Sequence, residues 1–329
     1  MIISSTKFAK LLLGVFVIAL MLCFSFNPAT YMQATYQGVV VWTTAVLPAL
    51  FPFFFLTNIL TTTNILNKPA SFLSRPLRFF YNTPKVSSIV FVLSIISGYP
   101  VGAKLISDLY KSKQIDKYEA VRINAFTSCS GPIFIIGTVG TKMLGKPDLG
   151  LTLFLIHFLG ALINGFIYRN YGKNFKNNIN TFVAEQPVKD ILGNAIKQSV
   201  LSILIVGGYI AISFLICNFL IETNILKLIT TPLSCLLKPL GIQTEFANGI
   251  VLGITEITRG CFEFSQLSTL DLRTVTILCS FVISFGGLSV MLQSMTYLKE
   301  CGIKTKIYLL QKLTQAISTT TVAFLITTI

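Results

Sequence analysis

Lys104 and Arg259 are cations set inside apolar, glycine-interrupted stretches, each within two residues of a glycine, Gly102 and Gly260. A charge at membrane depth costs about 2.5–3.5 kcal/mol on insertion scales, so such a residue is kept by a partner or by function. Two of them, beside breaks that free backbone amides, suit recognition of a small, multiply charged anion such as a dicarboxylate. The bland alternatives are a cytoplasmic loop for Lys104 and, for Arg259, pairing with Glu256 three residues before it. Glu256 is the carboxylate nearest the second break and could hold a coupling proton, bind substrate or merely neutralise Arg259. Ser128, Ser130 and Gly131 beside one break, and Thr255 and Thr258 beside the other, offer groups for substrate contact or for helix capping. Tyr99 could stack on a planar ring or simply pack. His157, the only histidine, reads as an interhelical residue rather than a relay, and Asp108 reads as lying near the inner surface.

Other chemistries have nothing to rest on. No HExxH, GxSxG or Walker pattern occurs, so an enzyme is not expected. The seven cysteines form no CxxC and lie mostly in apolar runs, which predicts neither a metal site, a disulfide framework nor a cofactor. The formal charge of +14 is not interleaved with aromatics on a polar face, so nucleic acid is not an expected partner. Positive cytoplasmic loops account for it instead.

The elements that must hold these residues are membrane helices. With 53% hydrophobic and 12% charged residues, against about 25% charged in soluble domains, and a mean hydropathy of +0.74, the chain is expected to be an all-α polytopic membrane protein with lipid as its surroundings. Full-length spans are predicted at Phe8–Phe26, Gln37–Leu60, Leu149–Tyr168, Ser199–Ile221 and Ile307–Thr328. Lys7 and Lys10 before the first resemble a signal peptide, but an uncleaved helix is the reading preferred.

Two further pairs of segments fail the length criterion. Val86–Ser97 is apolar but interrupted by Gly98, Pro100 and Gly102, and Phe246–Gln266 has the same build; both read as re-entrant hairpins. Tyr118–Leu144 and Leu272–Lys299 break at Ser128–Pro132 and at Gly286-Gly287, and read as broken transmembrane helices. The breaks belong to a weak duplication in which Thr63-Asn64-Ile65-Leu66 returns as Thr223-Asn224-Ile225-Leu226, the offset drifting from 160 residues there to 156 between Gly131 and Gly287. A period this long means duplicated halves.

The domains expected are an N-terminal transmembrane helix (1–30), a first repeat (37–170), a cytoplasmic linker (171–190) and a second repeat (191–329). Each repeat makes three crossings, which gives an inverted repeat, N-terminus inside and C-terminus outside. Nineteen of the 26 Lys and Arg residues, Lys312 among them, then fall on inside loops, five outside, with Lys104 and Arg259 embedded.

Ser97-Gly98-Tyr99-Pro100-Val101-Gly102-Ala103-Lys104, with Ser130-Gly131-Pro132-Ile133-Phe134-Ile135-Ile136-Gly137-Thr138-Val139-Gly140 and Glu256-Ile257-Thr258-Arg259-Gly260, resembles the sporulation integral membrane protein YlbJ family (stage V sporulation protein V) over roughly residues 35–329. The resemblance implies a nucleoside-recognition gate domain, similar to the core of concentrative nucleoside transporters. It further implies transport of dipicolinic acid from the mother cell across the outer forespore membrane, toward the spore inside its cortex. Dipicolinate, a planar dicarboxylate, also suits two cations and an aromatic ring. The rivals are a nucleoside transporter, with Glu256 and its neighbours on ribose and base, and a non-transporting membrane scaffold for spore-envelope assembly. The sequence leaves the coupling ion and a homo-oligomer open.

Overall fold

The computed structural model describes residues 5–63, 67–172, 190–240, 243–267 and 271–328. The first copy of the Asn-Ile-Leu motif (64–66) and nearly all of the expected linker (173–189 of it) lie outside those residues. Every regular element among the described residues is a helix, as the composition requires of a polytopic membrane protein: in lipid, backbone polar groups must be satisfied within the segment.

The first helix, α1 (Ser5–Phe26), leads into α2 (Pro28–Thr62). Pro28 starts α2, where a missing N–H costs nothing. A wide π turn at Trp42–Val46 precedes Pro48, whose ring and absent N–H disfavour a regular turn. There follow α3 (Asn67–Tyr81), α4 (Ser87–Ser97), α5 (Val101–Lys111), α6 (Lys117–Thr127), the π-wound α7 (Ile133–Met143) and α8 (Pro147–Ile167). A capping box fixes the start of α6: Asp116 accepts from Glu119 N at 2.7 Å while Glu119 accepts from Asp116 N at 2.9 Å.

Beyond the linker the same order returns. A long helix, α9 (Ile191–Glu222), is followed by α10 (Ile225–Leu237), by the short pair α11 (Phe246–Thr255) and α12 (Ile257–Ser265), by α13 (Leu272–Phe285) and α14 (Gly287–Leu298), and by α15 (Thr305–Thr328). Of the apolar cores among the described residues, the two largest each draw on both halves of the chain. Val90, Ile106 and Ile123 pack with Val206 and Ile210; Ile135 and Leu153 pack with Phe246, Phe264 and Val282.

Among the described residues four stretches are long and apolar enough to cross a membrane: α2, α8, α9 and Leu272–Cys301, which contains α13 and α14. The expected span at Phe8–Phe26 is represented by a shorter apolar helix, Lys10–Phe26, and the expected span at Ile307–Thr328 is not among the four either. Its helix, α15, has the length, 24 residues, but turns Gln311, Lys312, Gln315 and Thr319 into the protein, and this buried polar stripe is what lowers its hydropathy. Lys312, placed by the sequence reading on an inside loop, is therefore corrected to a buried position within α15, 2% exposed. By contrast, α4 has only 11 residues, about half the rise needed to cross ~30 Å of hydrocarbon.

Candidate functional site

The four expected breaks form, and in each half the hairpin tip abuts the break that follows it. Gly98 ends α4 at φ +77°, and a β-carbon there would overlap the backbone of Gly131. In the second half a β-carbon on Gly287 (φ +66°) would lie 3.0 Å from Gly253 O and 3.4 Å from Glu256 N. Only glycine allows both the left-handed backbone and this approach. Between the two assemblies lies a cavity of about 70 Å³ to which Tyr99, Ser130, Gly131, Glu256, Thr258 and Gln293 contribute. Its remaining wall is apolar and includes Ala45, Val46, Ala49 and Leu50 of α2 and Val206 and Ile210 of α9.

Tyr99, Ser130, Gly131, Thr258 and Glu256 were all anticipated and are brought together here. Glu256, 3% exposed, stands in extended backbone (φ −148°, ψ 122°) between α11 and α12. Its carboxylate accepts from Arg259 N at 2.8 Å and Thr258 Oγ1 at 3.2 Å, capping α12. The reading of Glu256 as the counter-ion of Arg259 is corrected: the guanidinium pairs with Glu263, one turn further on, at 2.9 Å. A residue in extended backbone ahead of a helix does not share the helix face that i, i+3 pairing needs.

The other candidates lie apart. Lys104 is a turn into α5, where its ammonium donates to Asn58 Oδ1 at 2.8 Å in a separate small cavity with Thr57, Ser202 and Tyr297. Arg259 borders a third cavity with Tyr36, Gln37 and Phe262. The two expected cations thus do not meet, because each projects from the body of its hairpin's second arm rather than from the tip. Gly102 serves hairpin closure: a β-carbon there would fall 2.6 Å from Ser94 Oγ and 2.8 Å from Thr127 O. Thr255 Oγ1 turns back to Val251 O at 3.3 Å, and Ser128 contributes its carbonyl, which accepts from Lys312.

Lys312 is the residue the sequence reading missed. Its ammonium donates to Tyr99 Oη at 2.7 Å, Ser128 O at 3.0 Å and Gln315 Oε1 at 2.7 Å. It makes no ion pair with any carboxylate among the described residues. Two signals pointed to it: the polar spacing Gln311, Gln315, Thr319 along α15, and a place 155 residues after His157, close to the offset of the duplication. His157, on α8, bridges the two breaks. Its Nε2 accepts from Ser130 N at 2.9 Å, so Nδ1 carries the hydrogen and donates to Ser284 Oγ at 2.7 Å. Amides secure the flanking helices: Asn124 Nδ2 donates to Gln311 Oε1 at 2.7 Å, and Asn164 Nδ2 to Ala125 O at 2.8 Å.

Comparison with known proteins agrees with the family resemblance read from the motifs. Residues 43–142 match the family model described as Gate, nucleoside recognition. The chain is 29% identical to the sporulation integral membrane protein YlbJ of Bacillus subtilis (strain 168) over 336 aligned residues, covering 95% of this chain and 81% of that protein. No solved structure matches it. With its apolar helices, this similarity makes the chain an integral membrane protein.

Proposed function

We propose that this integral membrane protein is a transporter of a small dianionic metabolite, dipicolinate above all, acting in sporulation to move it from the mother cell across the outer forespore membrane. One observation carries the reading: helices α5, α7 and α12 begin at breaks that line a single cavity, to which α14 adds Val290 and Gln293. Their first amides and positive dipole ends favour negative charge. Broken helices meeting at a shielded site are the build of secondary carriers. In this proposal α4–α5 and α11–α12 are re-entrant hairpins and the halves form an inverted repeat, with the cavity near the bilayer midplane. Ligand pockets start at about 300 Å³, so loading goes with separation of the tips around a cavity of about 70 Å³.

Uptake into proteoliposomes containing the full chain, with dipicolinate and uridine compared, tests this. Dipicolinate uptake above that of empty vesicles is the expected result. Uptake of uridine alone would establish the second reading, a nucleoside transporter, which the match of residues 43–142 to the nucleoside-recognition family favours. Uptake of neither would leave the scaffold reading.

A further inference from the structure

We infer that Tyr99, on the wall of the central cavity, and Lys312, hydrogen-bonded behind it, form a carboxylate-binding site in which Tyr99 donates directly to the ligand and Lys312 supplies the positive charge. The inference rests on the transport reading and adds the group that selects an anion. Lysine has only hydrogens to donate, so in the 2.7 Å contact with Lys312 the Tyr99 oxygen is the acceptor. The tyrosine's own hydrogen is left to donate elsewhere, and Tyr99 lines the cavity. A neighbouring ammonium polarises that hydroxyl and strengthens it as a donor to a negative oxygen.

The same ammonium also fixes the orientation of the Gln315 amide. Because Oε1 accepts from Lys312, the amide nitrogen points away from it, and Nε2 is buried without a hydrogen-bond partner. Lys312 makes no ion pair among the described residues, while Glu256, the carboxylate on the same cavity wall, is engaged by Arg259 N and Thr258 Oγ1.

A purely structural account of Lys312 is the weaker one. His157 ties Ser130 to Ser284 as a neutral imidazole, so holding a break in place needs no charge. A lysine retained in the same layer, at the cost of burying its charge, fits a ligand that brings the opposite charge.

The test measures equilibrium binding by the purified full-length protein of pyridine-2,6-dicarboxylate and of its neutral diamide. Wild type should prefer the dicarboxylate. Lys312→Met should weaken dicarboxylate binding at least tenfold, the scale of a lost charged hydrogen bond, and leave diamide binding within about twofold, while Lys312→Arg should recover most of the loss. Tyr99→Phe keeps the ring and removes the donor, so it should weaken the dicarboxylate about fivefold, the scale of a neutral hydrogen bond; this variant decides the matter if Lys312→Met does not fold. Equal loss of both ligands, or dicarboxylate binding as in wild type in both Lys312→Met and Tyr99→Phe, would overturn the site. Wild type that binds uridine and ignores the dicarboxylate would overturn the dianion reading itself, before any variant is made.

Discussion

Glu256 uses one carboxylate for two purposes: it caps α12 through Arg259 N and stands in the cavity wall. A glutamine can still accept from the amide, so Glu256→Gln retains most of the cap while mimicking the protonated acid. If Glu256 carries the coupling proton, this variant should exchange substrate but not accumulate it, and its rate should lose its dependence on pH. Counterflow and uphill uptake, measured across pH in proteoliposomes, separate the two activities. Accumulation and a pH profile both equal to wild type would assign Glu256 to capping alone. Residues at the tips were legible in the sequence because glycine and proline announce the breaks beside them. Lys312 was not, since three lysines in nine residues (304, 306, 312) read as a juxtamembrane cluster, and only tertiary packing reveals that the last of them faces inward.

Among the helices, the glycine contacts give the sharpest expectations. Gly98→Ala and Gly287→Ala must place a methyl at positive φ against neighbouring backbone, which together costs about 2–4 kcal/mol. Gly137→Ala, with nothing within 4 Å of the new carbon, should be neutral. Thermal unfolding in detergent should separate the first two variants from the third, and equal midpoints for all three would show that the tips do not touch. Asp271 caps α13, accepting from Thr274 N and Arg273 N, each at 3.2 Å, as well as from the Thr274 hydroxyl.

The bond from that hydroxyl, first, and those from the amides hold the Asp271 carboxyl below its usual range. A lowered folded-state value means that stability is fully present above the unfolded aspartate's pKa of about 3.9 and is lost as pH falls through the folded one. Asp271→Ala should therefore cost about 1 kcal/mol near neutrality and progressively less in acid, as unfolding at both pH values would reveal; a penalty that is the same at both would assign it to something other than the carboxylate. Element order was readable twice over because hydrophobic runs and their interruptions recur. The polar face of α15 was not, because span length and hydropathy do not register which side of a helix is buried.

For the molecule as a whole, the excess of Lys and Arg on alternate loops predicts that cysteines placed at Lys85 and Ser112, the two ends of the first hairpin, are labelled from the same, cytoplasmic face. Labelling from opposite faces would refute the re-entrant hairpin and the inverted repeat with it. Membrane character and the convergence of the breaks could be anticipated from composition and from the duplication. The separation of Lys104 from Arg259 could not, because each cation's direction depends on where it falls within a helical turn. One further feature bears on motion. A single imidazole, His157, rivets the break at Ser130 to the break at Ser284, and parting them would strand a buried amide and a buried hydroxyl. The two breaks are thereby tied to each other, and any motion that kept both bonds would carry them as one piece. The cavity is also lined by Ala45, Val46, Ala49, Leu50, Val206 and Ile210, a greasy bearing with no hydrogen bonds of its side chains to remake; if the protein transports as proposed, this is the surface along which parting costs least.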